Sequence, residues 1–147
     1  MTPHLVGELA LTLAAAFAGT AFYVGFAEHP ARLGLDDASG LKQWKPSYAA
    51  GYTMQASLAA LAGALGLLAA WMSHDWRWLI GAVLILGNWP YTLIVMMPTN
   101  KQLQSTAPAV AGLETRHLLE QWGRLHALRT ALGIAAAVVY LWALNRA

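Results

Sequence analysis

Residues 79–100 read LIGAVLILGNWPYTLIVMMPTN, with no charged side chain and a proline near the middle. At ~1.5 Å per helical residue this stretch reaches across a hydrocarbon core of ~30 Å. Leu9–Ala27 and Ala49–Ser73 are uncharged runs of similar length, and Thr130–Asn145 is a shorter one. None alternates polar and apolar residues with period two. In lipid only helices and closed barrels satisfy the backbone, so runs of this kind read as helices. The reading is an all-α, four-transmembrane-helix bundle in a single integral membrane domain over residues 1–147. Its spans are about 5–27, 49–73, 77–98 and 125–145. The last reaches membrane length only by starting at Leu125, which brings His126 and Arg129 inside the boundary.

Composition agrees. A hydrophobic share of 58% against 11% charged lies well outside the range of soluble domains. The absence of cysteine excludes thiol redox chemistry, disulfides, iron–sulfur clusters and thiolate-held metals. The basic residues are dispersed, so the high isoelectric point does not indicate a nucleic-acid partner. Met1–Ala10 carries no Lys or Arg, so the first span is expected to be retained as a helix.

Four spans put both termini on one face and two longer loops, about Glu28–Tyr48 and Lys101–Leu125, on the other. Those loops carry Arg32, Lys42, Lys45, Lys101, Arg116 and Arg124, against Arg77 and Arg146 opposite. The bias makes the long-loop face cytoplasmic. Trp71, Trp76, Trp78 and Trp142 near the opposite helix ends read as an interfacial belt. Asp36–Gly40 reads as a turn, Pro46 as the first turn of span two, and Pro98-Thr99-Asn100 as the chain turning out of the membrane.

Polar residues concentrate toward the long-loop end. Trp122, His126 and Arg129 are spaced i, i+4, i+7 and share a helix face with Thr130. A membrane arginine needs a partner or water. Glu28, closing span one before Pro30, is the expected partner. Asn88, Thr92 and Thr99 share a face of span three, with Trp89 and Tyr91 beside them. Pro90 is expected to kink that helix and free a carbonyl near Leu86. Asn100 reads as a helix cap or a ligand contact. Trp44, Tyr48, Tyr52 and Gln55 approach the same mouth from span two. Aromatic walls with a few convergent polar groups describe a pocket for a flat, phenolic or quinone-like molecule. They also describe a lipid-headgroup region.

The spacing of acidic residues and histidines offers few candidate metal sites. Glu114-x-x-His117 has the carboxylate–histidine interval of di-iron bundles, which need two such motifs. Glu28, His29 and His126 are candidate ligands for a metal, and His29 and His126 for a haem.

Several motifs resemble the anthrone-oxygenase-like family of small four-helix membrane proteins. They are Glu28-His29-Pro30-Ala31-Arg32, Trp44-x-x-x-Tyr48, Asn88-Trp89-Pro90-Tyr91-Thr92, Met97-Pro98-Thr99-Asn100, and Trp122-Gly123-x-x-His126-x-x-Arg129-Thr130. Characterised members oxidise anthrones to anthraquinones, and the resemblance implies a cofactor-independent monooxygenase in a bacterial inner membrane. On that reading His126 or Glu28 is the base, Arg129 with Tyr91 or Asn88 holds the oxyanion, and Trp44, Trp89 and Trp122 flank the ring. The Ser73–Arg77 turn and the Trp44–Tyr48 segment look unlike the fungal oxygenases, so the substrate stays open. Membrane lipids and a hydrophobic small molecule are the expected partners, and a homo-oligomer is compatible with the sequence. Two alternatives remain: a non-catalytic protein binding a lipid, quinone or partner helix, and a metal- or haem-binding protein.

Overall fold

The computed structural model describes residues 2–145, so Arg146, counted above in the charge bias, lies outside it. Four helices carry the fold: α1 (Pro3–Leu33), α2 (Asp37–Ser73), α3 (Trp76–Ser105) and α4 (Leu113–Leu144). All four are long and apolar enough to cross a membrane, and the chain is an integral membrane protein. No strand occurs among the described residues. One core cluster joins the start of α1 (Val6, Ala10, Phe17) to the end of α2, the start of α3 (Trp78, Ile85) and the end of α4. The other joins the start of α2 (Leu41, Trp44) to the end of α3 (Met96, Leu103) and the start of α4 (Leu119, Trp122). The helices therefore run up and down in alternation, as an all-α four-helix bundle.

The connections are shorter than expected, because helix extends through most of both long segments. Asp36 does not sit in a turn. Its carboxylate accepts from Ser39 N–H at 3.0 Å and caps α2, which places Pro46 inside that helix. Arg116 of α4 clamps the α1–α2 corner, donating to Asp37 at 2.5 Å and to the Leu33 and Leu35 carbonyls at 2.6 Å each. These bonds satisfy carbonyls that a helix end leaves open.

Neither Pro30 nor Pro98 ends its helix. Each follows a single widened π turn, Val24–Glu28 in α1 and Thr92–Met96 in α3. A proline ring clashes with the carbonyl four residues back. The wider turn instead pairs His29 N–H with Val24 and Met97 N–H with Thr92, so the helix continues beyond the ring. Pro98-Thr99-Asn100 thus lies within the helix Met97–Ser105 and does not turn the chain out. Near Pro90 the α3 helix is interrupted at Gly87.

The end remote from the polar residues is densely packed. Trp78 is buried against Tyr140 (ring centroids 5.4 Å apart) and so does not belong to the interfacial belt. Trp71, Trp76 and Trp142 are exposed as expected of a belt. The Tyr140 hydroxyl donates to the Ala62 carbonyl at 3.0 Å, and Gly66 and Gly81 leave the space its ring occupies. Lipid supplies no hydrophobic drive between helices, so close packing of this kind holds them together.

Two outcomes follow for thermal unfolding in mild detergent. Gly66→Val forces a side chain into Tyr140 and is expected to cost about 1–3 kcal/mol, while Gly19→Val, facing open space, changes stability little. Asp75 caps α3 by accepting from Arg77 N–H at 3.0 Å, and its hydrogen bond to the Arg77 side chain holds its carboxyl below the ordinary value. That contribution is complete above the unfolded-state carboxylate value and is lost as pH falls through the lowered one. Asp75→Ala is expected to cost about 1 kcal/mol at neutral pH, and the gap to the parent protein should close on acidification.

Candidate functional site

Because α1 continues past Pro30, Arg32 falls one turn beyond Glu28 on the same face. Its Nη2 donates to Glu28 Oε1 at 2.7 Å, and Gln43 Nε2 donates to the same oxygen at 3.0 Å. The Ser47 hydroxyl completes the set on Glu28, and Arg32 Nε donates to Gln43 Oε1. Arg32 Nη1 donates to His29 Nδ1 at 3.2 Å, and its guanidinium lies 5.6 Å from the Trp122 ring centroid. The side chain of Arg32 is 1% exposed. This cluster corrects the expected pairing of Glu28 with Arg129: a nearer cation occupies the carboxylate.

Arg129 is correspondingly bare. Its residue is 6% exposed, its Nε has no partner, and no hydrogen bond or ion pair holds its guanidinium among the described residues. It lies 5.7 Å from the Phe17 ring centroid, and the ionisable groups around it include Tyr48, Tyr52, Tyr91 and His126. A buried cation without an acid is expensive.

His126 stands one turn before it. Its Nε2–H donates to the Ala21 carbonyl of α1 at 3.0 Å, because a carbonyl can only accept. That bond fixes the tautomer of the neutral ring and leaves the Nδ1 lone pair free, buried and unpartnered. Trp122 stacks on the imidazole with centroids 4.9 Å apart and an interplanar angle of 12°.

Two small cavities flank Arg129. One, of about 20 Å³, is bordered by Tyr48, Tyr52, Gln55, Trp122, His126 and Arg129. The other, of about 10 Å³, is bordered by Tyr52, Ala56, Asn88, Trp89, Thr92 and Arg129. Each has room for about one water. His126 and Asn88 therefore border different cavities that meet at one guanidinium.

The remaining expected residues divide. Trp44 is fully buried, stacked on Tyr48 at 4.6 Å and edge-on to Trp122 at 5.9 Å. Asn88 Nδ2 donates to the Ile85 carbonyl at 3.1 Å, while its Oδ1 and the Thr92 hydroxyl are buried without partners. Asn100 is not a cap; it is buried within α3 with both amide atoms unpartnered. Tyr91 cannot serve freely as an oxyanion donor, since its hydroxyl donates to the Leu125 carbonyl at 3.0 Å. Arg32, Gln43 and Ser47 were missed, although the i, i+4 spacing of Glu28 and Arg32 was readable once helix past Pro30 was allowed.

For metals, His29 has Nδ1 engaged by Arg32 and His126 has Nε2 engaged by Ala21. His117 lies 3.6 Å from Glu120 in an exposed pair. Among the described residues no three His, Asp or Glu side chains converge as a ligand set.

Removing one member of a buried pair leaves the other charge uncompensated. Because Glu28 is only half-buried, Arg32→Ala is expected to destabilise the protein by about 1–3 kcal/mol in denaturant titration, less than for a fully buried pair, with Glu28→Gln/Arg32→Met recovering much of the loss. Lys42→Ala, at an exposed position, is the control.

A family profile described as anthrone oxygenase matches residues 44–139, which include Trp44, Tyr48, Asn88, His126 and Arg129 and leave out Glu28 and Arg32. An anthrone oxygenase of Aspergillus fumigatus is 39% identical over 66 residues, covering 43% of this chain and 41% of that protein. One of Claviceps purpurea is 29% identical over 151 residues, covering 93% of this chain and 87% of its own. The chain thus matches less than half the length of the first relative and most of the second. No solved structure matches. The chain belongs to the anthrone oxygenase family.

Proposed function

We propose that the protein is a membrane-embedded oxygenase that converts the methylene of an anthrone-type, planar phenolic ketone to a carbonyl. The observation that carries this reading is that His126, whose Nδ1 is unpartnered, and Arg129, whose guanidinium is unpaired, border one cavity. A carbon acid needs a base and a cation for the charge it develops. His126 Nδ1 takes a proton from the methylene, and the electron pair left behind spreads onto the ketone oxygen, where Arg129 holds it. The electron-rich carbon transfers electrons to dioxygen and forms a C–O bond. His126 returns its proton to the resulting peroxide. Loss of the second C–H proton with cleavage of the O–O bond gives the new carbonyl and water. One O₂ is consumed per methylene, and the substrate supplies all the electrons, so the reaction as written needs no prosthetic group.

Trp122 orients the imidazole by stacking, and the Ala21 carbonyl keeps its Nε2 protonated throughout. Glu28 is not the base in this reading, since Arg32, Gln43 and Ser47 all donate to its Oε1 and hold it as a paired carboxylate. The two cavities are water-sized, so the walls must part for a ring system. A second reading, a non-catalytic binder of lipid or quinone, needs the same opening and uses the same buried polar groups without turnover. We also place the His126 end on the cytoplasmic side of a bacterial inner membrane, from the basic bias of the two connections.

Oxygen uptake by the purified protein with an anthrone, measured above the spontaneous rate, tests the reading. His126→Ala is expected to lower the catalysed rate by about 10²–10⁴-fold and Arg129→Gln by about 10²–10³-fold. Arg32→Lys should retain turnover. Full activity in His126→Ala would remove the proposed base, and no uptake by the parent protein would favour the passive binder.

A further inference from the structure

Gln55 of α2 borders the cavity that His126 and Arg129 also border, and it is only 2% exposed. No hydrogen bond engages its amide among the described residues. Yet neither amide atom is sealed as the Trp44 indole nitrogen and the Asn100 amide are, so both still touch open space. The same holds for Arg129, of which only Nε is sealed. The open space within reach of both side chains is the cavity they share. Ser47, Gly51 and Gln55 follow one another at i, i+4, i+8 along this wall. The Ser47 hydroxyl is committed to Glu28, and Gly51 brings no side chain. A Cβ at Gly51 would meet nothing within 4 Å, so the wall is open one turn before the amide. The cavity measures about 20 Å³, room for one water. That is also the room of one hydroxyl or one carbonyl oxygen. As it stands, the cavity fits an oxygen of a ligand rather than a ring.

We infer that Gln55 is the specificity-determining residue that reads a hydroxyl of the ligand beside the oxygen held by Arg129. The two side chains differ in what they offer. A guanidinium only donates, so it takes an ionised or carbonyl oxygen. A carboxamide both donates and accepts, so it takes an oxygen that keeps its proton. Together they fit two neighbouring oxygens on one edge of a flat molecule, as in a phenol flanking a ketone. A molecule without the hydroxyl leaves a desolvated amide with no partner, and that cost discriminates against it. The inference deepens the oxygenase reading and rests on it for the class of ligand.

The experiment is a binding titration of the detergent-purified full chain with 1-hydroxyanthraquinone and 1,8-dihydroxyanthraquinone, read by quenching of tryptophan fluorescence. The two ligands differ by one hydroxyl, and the parent protein is expected to prefer the dihydroxy compound. Gln55→Met keeps the length of the side chain and removes the amide. It should lower that preference by about three- to tenfold, the worth of one hydrogen bond, through weaker binding of the dihydroxy ligand. Without ligand the variant should unfold at the parent temperature or above it, because no hydrogen bond within the protein is lost. Tyr52→Phe, on the same wall, should keep the parent preference. An unchanged preference in Gln55→Met overturns the inference, as does equal weakening of both ligands or no binding of either by the parent protein. A fall in ligand-free stability of Gln55→Met marks the amide as a structural group and overturns it too. Oxygen uptake on the same samples separates the two claims. A lowered hydroxyl preference without uptake by the parent protein keeps the role of Gln55 and removes the oxygenase, whereas uptake with an unchanged preference does the reverse.

Discussion

Glu28 belongs to Arg32, and the rest of the polar end follows from that pairing. Two arginines lie within reach of one end of the bundle, and the one on the same helix, one turn away, takes the carboxylate. Gln43 and Ser47 of α2 donate to the same carboxylate oxygen, so the pair also fastens α1 to α2. Arg129 is left with aromatic rings and no acid. In a low-dielectric interior such a charge is worth several kcal/mol to any anion that reaches it. That unpaired cation stands next to a histidine whose Nδ1 is also buried without a partner.

The two ends of the bundle answer different needs. Around Trp78 and Tyr140 the buried polar hydroxyl is bonded and glycines let rings sit against backbone. At the other end the indole nitrogens of Trp44 and Trp122, both amide atoms of Asn100, and atoms of Asn88, Thr92, His126 and Arg129 are buried without partners. Buried polar groups are nearly always satisfied in proteins, and a cluster of exceptions calls for a ligand or for water. Both π turns also fall at this end, just before Pro30 and Pro98. π turns recur at functional sites. The packed end supplies the rigidity that a loosely satisfied site lacks.

Much of the fold was legible from residue type alone. Four uncharged runs dictate four helices in lipid, and the i, i+4, i+7 spacing of Trp122, His126 and Arg129 places them on one face whatever surrounds them. What was not legible depended on local rules being overridden. Prolines at 30 and 98 read as helix ends, and only the compensating π turns, which leave no signal in composition, carry the helix through. That continuation decides the partner of Glu28. Trp78 looked like its neighbours Trp71 and Trp76, and its burial depends on Gly7 across the bundle. Likewise nothing in Tyr91 reveals that its hydroxyl is spent on the Leu125 carbonyl. The candidate site was found as a neighbourhood; its pairings were set by tertiary contacts.

The central claim is that Arg129 is an uncompensated cation aimed at a ligand. The direct measurement is the absorption spectrum of bound 1,8-dihydroxyanthraquinone at neutral pH, in the parent protein and in Arg129→Gln. The account predicts the red-shifted phenolate band in the parent protein and the neutral phenol band in the variant. A neutral ligand in both, or a phenolate in both, would contradict it.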